Sequence, residues 1–312
     1  MQMESLLISN MQSLKDCKRL ISINDCTIEE ISEIFQIAKK ADFTYNEKGN
    51  VITVFFENST RTLLSFEVAA SNLGLKSIRF DVSSSSISKD ETAINTIRTI
   101  NSLAPKGVIL RCKKTGETSL FAKHLSPEIS VINAGDGTGE HPTQALLDCF
   151  TILENFNIQF QKNCLSGLKI AIAGDIGNSR VARSNVFLLS KLGAKLELIS
   201  PPNFLSTNFA NFYKENYNCN ISHQIQGFDA DVLMLLRTQK ERMEGSGKIV
   251  FPSNFGIFTE KDLGKAVLMH PGPINEGVEV SEYLAYRSSK SLISKQVENG
   301  VKVRSAILKF LL

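Results

Sequence analysis

No two cysteines of the chain stand close enough to frame a zinc ribbon or a disulfide scaffold. Cys17, Cys26, Cys112, Cys149, Cys164 and Cys219 are scattered along 312 residues. That excludes a cysteine-stapled secreted module and fits a reducing cytoplasm. Excess charge of one sign is missing too. Lys plus Arg number 35 against 32 Asp plus Glu, a net of +3, so a dedicated nucleic-acid binder is excluded and any important positive charge must be local. No apolar run approaches ~18 residues, and Met1 to Asn10 lacks the basic, apolar and small-residue pattern of a secretory leader. The expectation is a soluble, unprocessed chain with neither membrane nor nucleic-acid partners. Beyond Ser83-Ser84-Ser85-Ser86, a polar loop by composition, there is no repeat or low-complexity tract.

Several catalytic signatures fail as well. Gly174-Asp175-Ile176-Gly177 follows a strand-like run but lacks the third glycine of a dinucleotide loop, and the next strand ends at Ser200-Pro201 without an acidic ribose ligand. Gly245-Ser246-Gly247-Lys248 resembles the end of a phosphate-binding P-loop, but Arg242 and Ile249 occupy the positions of the required Gly and Ser/Thr. There is no Gly-x-Ser-x-Gly elbow and no clustered His/Cys metal spacing. Protein-nucleophile and metal mechanisms lose ground, and no metal or other cofactor is expected.

The chain does contain enough to fold. Hydrophobic residues make up 42% and charged residues 21%, and the length suits two domains. Thr27 and Glu30 form a capping box before Ile28, Ile31, Ile34, Phe35 and Ala38, which repeat at helical spacing. Val51 to Phe56 is a β-branched run of the kind buried on both faces of a parallel sheet, and Ser59 caps a predicted helix from Thr60 to Leu73. The alternation recurs: strand 108–111 then a helical stretch to 125, strand 129–133 then helix 142–156, strand 169–173 then helix 180–192. Short strands fit 196–199, 232–236 and 266–269, and 291–312 reads as a terminal helical segment interrupted near Asn299-Gly300. This predicts an α/β protein of two domains, each a parallel β-sheet flanked by helices, with the active site in the cleft between them. The division falls inside the helix after His141, giving domains 1–144 and 145–290, with helix 291–312 packing back on the first.

In open α/β sheets ligands bind beyond the carboxyl ends of the strands, and unusual residues collect there. Ser59-Thr60-Arg61-Thr62 follows one strand, Arg111 ends another, and His141 follows a third across a Gly-rich loop. Arg180, Arg237 and His270-Pro271-Gly272-Pro273 take equivalent places in the second half. Ser59 to Thr62 offers hydroxyls, a guanidinium and helix N-terminal N–H groups suited to an oxyanion, although a plain N-cap beside a surface arginine reads the same way. Arg111 and His141 could polarise a carbonyl, although a lone histidine is more often a cap or a core hydrogen-bonding group. His270 reads as a brace for its turn. The Arg180 and Arg237 pair points to a dicarboxylate, with Lys89 as a further cation.

Phe56-Glu57-Asn58-Ser59-Thr60-Arg61-Thr62 resembles the carbamoyl-phosphate motif of the aspartate and ornithine carbamoyltransferase family. Ser86 and Lys89, Arg111, His141-Pro142-Thr143-Gln144, Arg180, Arg237-Thr238-Gln239 and His270-Pro271-Gly272-Pro273 continue that resemblance in order across nearly the whole chain. It implies carbamoyl transfer from carbamoyl phosphate to the α-amine of L-aspartate. The His-Pro-Gly-Pro segment and the paired arginines argue against ornithine, a cationic acceptor. The resemblance makes 1–144 the carbamoyl-phosphate domain and 145–290 the aspartate domain. It gives Ser59, Thr60, Arg61 and Thr62 to the phosphate, and Arg111, His141 and Thr62 to the carbonyl oxygen. Gln144 goes to the carbamoyl NH₂, and Gly272 and Pro273 also to carbamoyl phosphate. Lys89, Arg180, Arg237 and Gln239 go to aspartate. Arg61, Thr62, Arg111 and His141 would be the catalytic group, acting through direct amine attack without a covalent intermediate. Ser86 and Lys89 would come from a neighbouring chain, which implies a homotrimer with shared sites, and regulatory or pathway-enzyme subunits are compatible with it. The sequence departs from the family at Asp90 beside Lys89, at Cys112, and at Gly272 with Ile274. Rival readings are a non-catalytic relative that binds carbamoyl phosphate and a nucleotide-binding α/β module.

Overall fold

In a computed structural model, which describes residues 13–40, 43, 48–82, 91–224, 227–237, 258–274 and 279–312, the chain forms two compact units. One comprises Met1–Thr143 with Val301–Leu312, the other Gln144–Gly300.

The first unit is built on a five-stranded sheet, all of whose pairings are parallel. Its strands are β1 (Arg19–Leu20), β2 (Asn50–Phe55), β3 (Lys76–Phe80), β4 (Gly107–Cys112) and β5 (Ser130–Asp136), in the spatial order β1-β5-β4-β2-β3. The central strands are buried nearly throughout, as their apolar runs require when helices cover both faces. Helix α1 (Leu14–Cys17) precedes them, and between them run α2 (Ile28–Lys40), α3 (Thr60–Asn72), α4 (Ala93–Ser102) and α5 (Glu117–Ala122). The capping box at the start of α2 forms as expected: Glu30 N–H donates to Thr27 Oγ1 at 3.1 Å, and Thr27 N–H to Glu30 Oε2 at 2.9 Å. The helix then buries Ile31, Ile34, Phe35 and Ala38.

The second unit repeats the plan. Its strands β6 (Lys169–Ala173), β7 (Lys195–Ile199), β8 (Asn220–Ser222), β9 (Val232–Leu235) and β10 (Val267–Met269) lie in the order β10-β9-β6-β7-β8, again with every pairing parallel. Helices α7 (Arg180–Lys191), α8 (Thr207–Tyr217) and α9 (Glu282–Tyr286) accompany it. The chain passes from the first unit to the second within α6 (Pro142–Asn155) and returns within α10 (Ile293–Leu311).

Three expectations need correction. The last helix is not interrupted at Asn299-Gly300: α10 runs unbroken through both residues. Each is buried, and Asn299 Nδ2 donates to Thr151 Oγ1 at 3.1 Å and Glu154 Oε2 at 2.8 Å. Tertiary hydrogen bonds there override a weak local propensity. Ser59 occupies the N-cap position of α3, but its side chain makes no capping hydrogen bond. The strand expected to end at Asn133 continues to Asp136, because Asn133 Oδ1 accepts from Gly135 N–H at 2.8 Å and carries the backbone through a glycine at φ +129°.

Candidate functional site

In the first unit the chain leaves β2 for β3 on one side and later returns to lay β4 and β5 on the other. The carboxyl ends of β2 and β4 are therefore neighbours at the point where the winding reverses, the place where such sheets bind ligands. Phe56 N–H donates to Arg111 O at 2.9 Å, extending the β2–β4 ladder to the first residue beyond β2. The Arg111 side chain, only 11% exposed, then ties three strand ends together. Its Nη2 lies 2.8 Å from Glu57 Oε1, and its Nη1 donates to Ala134 O at 2.9 Å. Two residues on, α3 begins. Thr60 and Arg61 are exposed at its first turn, whereas Thr62 is buried and its carbonyl accepts from Ser65 Oγ at 2.9 Å. With no side-chain cap at Ser59, hydroxyls, a guanidinium and helix N-terminal N–H groups stand together.

His141 follows β5 and is buried, its Nδ1 3.4 Å from Thr143 Oγ1. The loop that delivers it is held by two buried carboxylates. Asp136 accepts from Gly116 N–H (2.8 Å), Thr118 N–H (3.1 Å) and Thr118 Oγ1 (3.1 Å). Glu140 accepts from the Ser22 hydroxyl and from Ile23 N–H at 3.0 Å. Between them Gly137 adopts φ +50°, and a Cβ there would lie 2.3 Å from Thr115 N, so only glycine fits. Cys112 is a buried thiol at the end of β4, pushed up to about 12 by burial, and it adds no charge beside Arg111.

In the second unit the winding reverses between β6 and β9, and those strand ends lead to Arg180 and Arg237. The failed dinucleotide loop now has a structural explanation. A Cβ on Gly174 (φ +125°) would lie 2.7 Å from Leu236 O, and one on Gly177 would lie 2.6 Å from Phe204 O, so both glycines serve close packing of strand-end loops. Asp175 accepts from the backbone and side chain of Asn178, and Ser179 Oγ caps α7 by accepting from Ala182 N–H at 3.1 Å. Arg180, the first residue of α7, is buried, and Arg237 is half-buried.

After β10, His270 Nδ1 accepts from Gly272 N–H at 2.8 Å, which leaves the ring proton on Nε2, 3.4 Å from Glu279 Oε1. His270 braces the turn, as its sequence context suggested, and the Gly272-Pro273 peptide is cis. Gln144, near the start of α6, donates its Nε2 to Asp148 Oδ1 at 2.9 Å.

The first unit thus gathers Ser59 to Thr62, Arg111 and His141 at the ends of β2, β4 and β5. The second gathers Arg180, Arg237 and the His270 turn at the ends of β6, β9 and β10. Ser86, Lys89, Asp90 and Gln239 lie outside the described residues. Sequence reasoning gave no role to Glu57, Asp136, Glu140 or Asp148. Glu57 lies within the Phe56 to Thr62 motif, but a carboxylate at an anion-binding place gives no signal of its own. Among the described residues no group of three His, Cys, Asp or Glu could hold a metal, and no helix is long and apolar enough to cross a membrane.

These features define a two-domain α/β protein that places arginines at the reversal points of two parallel sheets. Comparison with known proteins narrows the class. The family described as "Aspartate/ornithine carbamoyltransferase, carbamoyl-P binding domain" matches residues 18–154, and "Aspartate/ornithine carbamoyltransferase, Asp/Orn binding domain" matches 166–311. The chain belongs to the aspartate/ornithine carbamoyltransferase family. It is 41% identical over 309 residues to the aspartate carbamoyltransferase catalytic subunit of Wolbachia sp. subsp. Brugia malayi, covering 94% of this chain and 97% of that one. Its identity to the Ruminiclostridium cellulolyticum catalytic subunit is 42% over 314 residues, covering 94% and 95%. Among solved structures, Trypanosoma cruzi aspartate transcarbamoylase in complex with carbamoyl phosphate and aspartate superposes with a TM-score of 0.80 at 25% identity, covering 96% and 98% of the two chains. The M. jannaschii catalytic subunit superposes with a TM-score of 0.78 at 32% identity, covering 94% and 97%.

Proposed function

We propose that the chain transfers the carbamoyl group of carbamoyl phosphate to the α-amine of L-aspartate, forming N-carbamoyl-L-aspartate and phosphate in pyrimidine synthesis. The observation that carries the reading is Arg111, held by Glu57 and Ala134 at the reversal point of the first sheet, beside a helix whose N-cap serine makes no capping hydrogen bond. In this reading residues 1–144, with the returning helix, bind carbamoyl phosphate and residues 145–290 bind aspartate. Ser59, Thr60, Arg61 and Thr62 hold the phosphate. Arg111, His141 and Thr62 hold the carbonyl oxygen, Gln144 the carbamoyl NH₂, and Gly272 and Pro273 contribute at the same substrate. Arg180, Arg237, Gln239 and Lys89 hold the two carboxylates of aspartate.

The chemistry follows from these positions. The neutral amine of aspartate attacks the carbamoyl carbon, the C=O electron pair moves onto oxygen, and Arg111, His141 and Thr62 stabilise that oxyanion. Collapse expels phosphate, one of whose oxygens takes the amine proton, so no acyl-enzyme and no protein base is required. Holding both substrates in attack geometry contributes roughly up to 7 to 11 kcal/mol in favourable cases. The same reading makes the protein a cytoplasmic homotrimer in which Ser86 and Lys89 serve a neighbouring chain's site. Relatives named as catalytic subunits support an assembly with regulatory or pathway partners.

The deciding assay compares carbamoylated product from carbamoyl phosphate with L-aspartate or with L-ornithine, at matched protein concentration. Product with aspartate alone is expected. Product with ornithine alone would overturn the acceptor. A folded chain that binds carbamoyl phosphate yet makes neither product would replace the reaction with a binding role.

A further inference from the structure

We infer that Asp148 is a positioning residue for carbamoyl transfer, setting which end of the Gln144 carboxamide is presented to the substrate. The inference rests on the assignment of Gln144 to the carbamoyl NH₂. Asp148 lies on α6, fully buried, and it accepts from three carboxamides on three helices. Its Oδ1 takes Gln144 Nε2 at 2.9 Å and Gln296 Nε2 at 2.7 Å, while its Oδ2 takes Asn185 Nδ2 at 2.9 Å.

An ionised carboxylate can only accept, so each amide must turn its NH₂ toward Asp148 and its oxygen away. A reversed Gln144 would set oxygen against oxygen in a buried site, at the cost of an unsatisfied polar pair. For Gln144 this leaves the carbonyl oxygen as the outward group, the polarity needed to accept from a carbamoyl NH₂. For Gln296 the outward oxygen accepts from His270 N–H at 2.9 Å, so the same carboxylate fixes the first residue of the His270-Pro271-Gly272-Pro273 turn. For Asn185 the contact fixes α7, the helix that opens with Arg180; there Nδ2 also donates to Val181 O at 3.1 Å. One carboxylate thereby orients three of the second unit's site-bearing elements without touching substrate itself.

Asn185 also predicts which substitution the site tolerates. Its Oδ1 is buried without a hydrogen-bond partner among the described residues. In Asp148→Asn the new carbonyl can stay toward Gln144 and Gln296 while the new NH₂ faces Asn185, whose amide rotates to accept at the cost of its own bond to Val181 O. Asp148→Ala offers no acceptor to any of the three.

The test is a double-mutant cycle on the full chain with Asp148→Ala, Gln144→Ala and the combined variant, following KM for carbamoyl phosphate, kcat and inhibition by inorganic phosphate. Asp148→Ala is expected to raise KM for carbamoyl phosphate about tenfold, the loss of one hydrogen bond to the carbamoyl group. Asp148→Asn is expected to restore most of this loss. Phosphate, which lacks the carbamoyl group, should inhibit within about twofold of the unsubstituted chain, and the Asp148→Ala loss should vanish in the Gln144→Ala background. A parallel loss of phosphate affinity, or full additivity, would overturn the inference in favour of a general packing role. If the alanine chain does not fold, the cycle is run with Asp148→Asn, whose smaller loss of about threefold must also vanish beside Gln144→Ala. Failure of the function itself reads out differently. An unsubstituted chain that makes no product refutes the reaction, whereas calorimetry showing no preference for carbamoyl phosphate over phosphate refutes the inference about Asp148.

Discussion

Helices α3 in the first unit and α7 in the second start in the same way in sequence and end up satisfied in different ways. Each follows a strand at a reversal point, and each has serine at the N-cap, Ser59 or Ser179. Ser179 does what an N-cap serine ordinarily does and accepts from Ala182 N–H. Ser59 does not, and the two residues that follow it are exposed. A helix N-terminus carries unpaired N–H groups and a partial positive charge that some acceptor must meet. In α7 the chain supplies that acceptor, which leaves anion recognition to guanidiniums. In α3 the N-cap serine supplies no such acceptor, and the proposed function gives that place to the phosphate. In the proposed assignment the first unit serves the chemistry on phosphate and the carbamoyl group, and the second holds the carboxylates.

The strongest way to break this division is through its arginines. Arg111→Met should lower kcat by about 10² to 10³, the usual cost of one oxyanion donor, because in the proposed reaction the guanidinium meets charge that develops only as the amine attacks. Arg237→Met should instead raise KM for aspartate, with the smaller effect on kcat. Steady-state kinetics with each substrate varied in turn would show the split, and the reverse pattern would dissolve the comparison.

The serines sharpen it. Ser59→Ala should cost about 10- to 100-fold in kcat/KM for carbamoyl phosphate, the price of one hydrogen bond to a charged group, and leave thermal stability unchanged. Ser179→Ala should do the opposite: about 1 kcal/mol of stability lost with its cap, a fall in Tm of about 2 to 4 °C, and kinetics close to the unsubstituted chain. Calorimetry and kinetics on the same two preparations check both halves. A Tm loss for Ser59→Ala equal to that for Ser179→Ala would show that α3 relies on its serine after all.

Much of this was legible in the sequence, and the reasons are local. The α2 capping box, the apolar run of β2 and the alternation from β4 to α7 each carry their own period and punctuation, so near-neighbour physics sufficed. Strand β1 has two residues and β8 three, while β3, Lys76 to Phe80, shows no buried residue along its length. β1 and β8 are too short to show a hydrophobic pattern and β3 alternates only Ile78 and Phe80, and each forms because a longer strand offers it an edge. Arg61, Arg111, Arg180 and Arg237 were visible because each lies at or just after the end of a strand. The carboxylates that hold the site were not, since Asp148 binds Gln296 and Glu140 binds Ser22 across more than a hundred residues of chain. A buried acidic residue gives no sequence signal of its own, because its meaning lies entirely in which distant donors the fold brings to it. Asn299-Gly300 misled for the same reason: the contacts that keep α10 straight there come from α6.

The smallest effect, invisible at neutral pH, concerns Cys112 and Cys219, one buried thiol in each unit. Burial pushes both up to about 12, against the 9.0 of an unperturbed thiol. In the folded chain these thiols stay neutral where the unfolded chain would ionise them, so above about pH 9 the unfolded state binds fewer protons. The stability they contribute is therefore complete below pH 9 and drains away as pH rises toward 12, the sign expected of an acid whose folded pKa is raised. Cys112→Ala and Cys219→Ala should each flatten the fall of Tm between about pH 9 and pH 11, additively because the sites lie in different units. The two positions differ in surroundings. At Cys112 the carboxylates of Asp136, Glu117 and Glu57 oppose the thiolate in addition to burial; at Cys219 burial acts alone. Added salt screens the carboxylates and leaves burial untouched, so it should lower the alkaline midpoint associated with Cys112 and leave that of Cys219 in place. Equal salt dependence at both positions would remove the acidic residues around Arg111 from the electrostatics of the first unit.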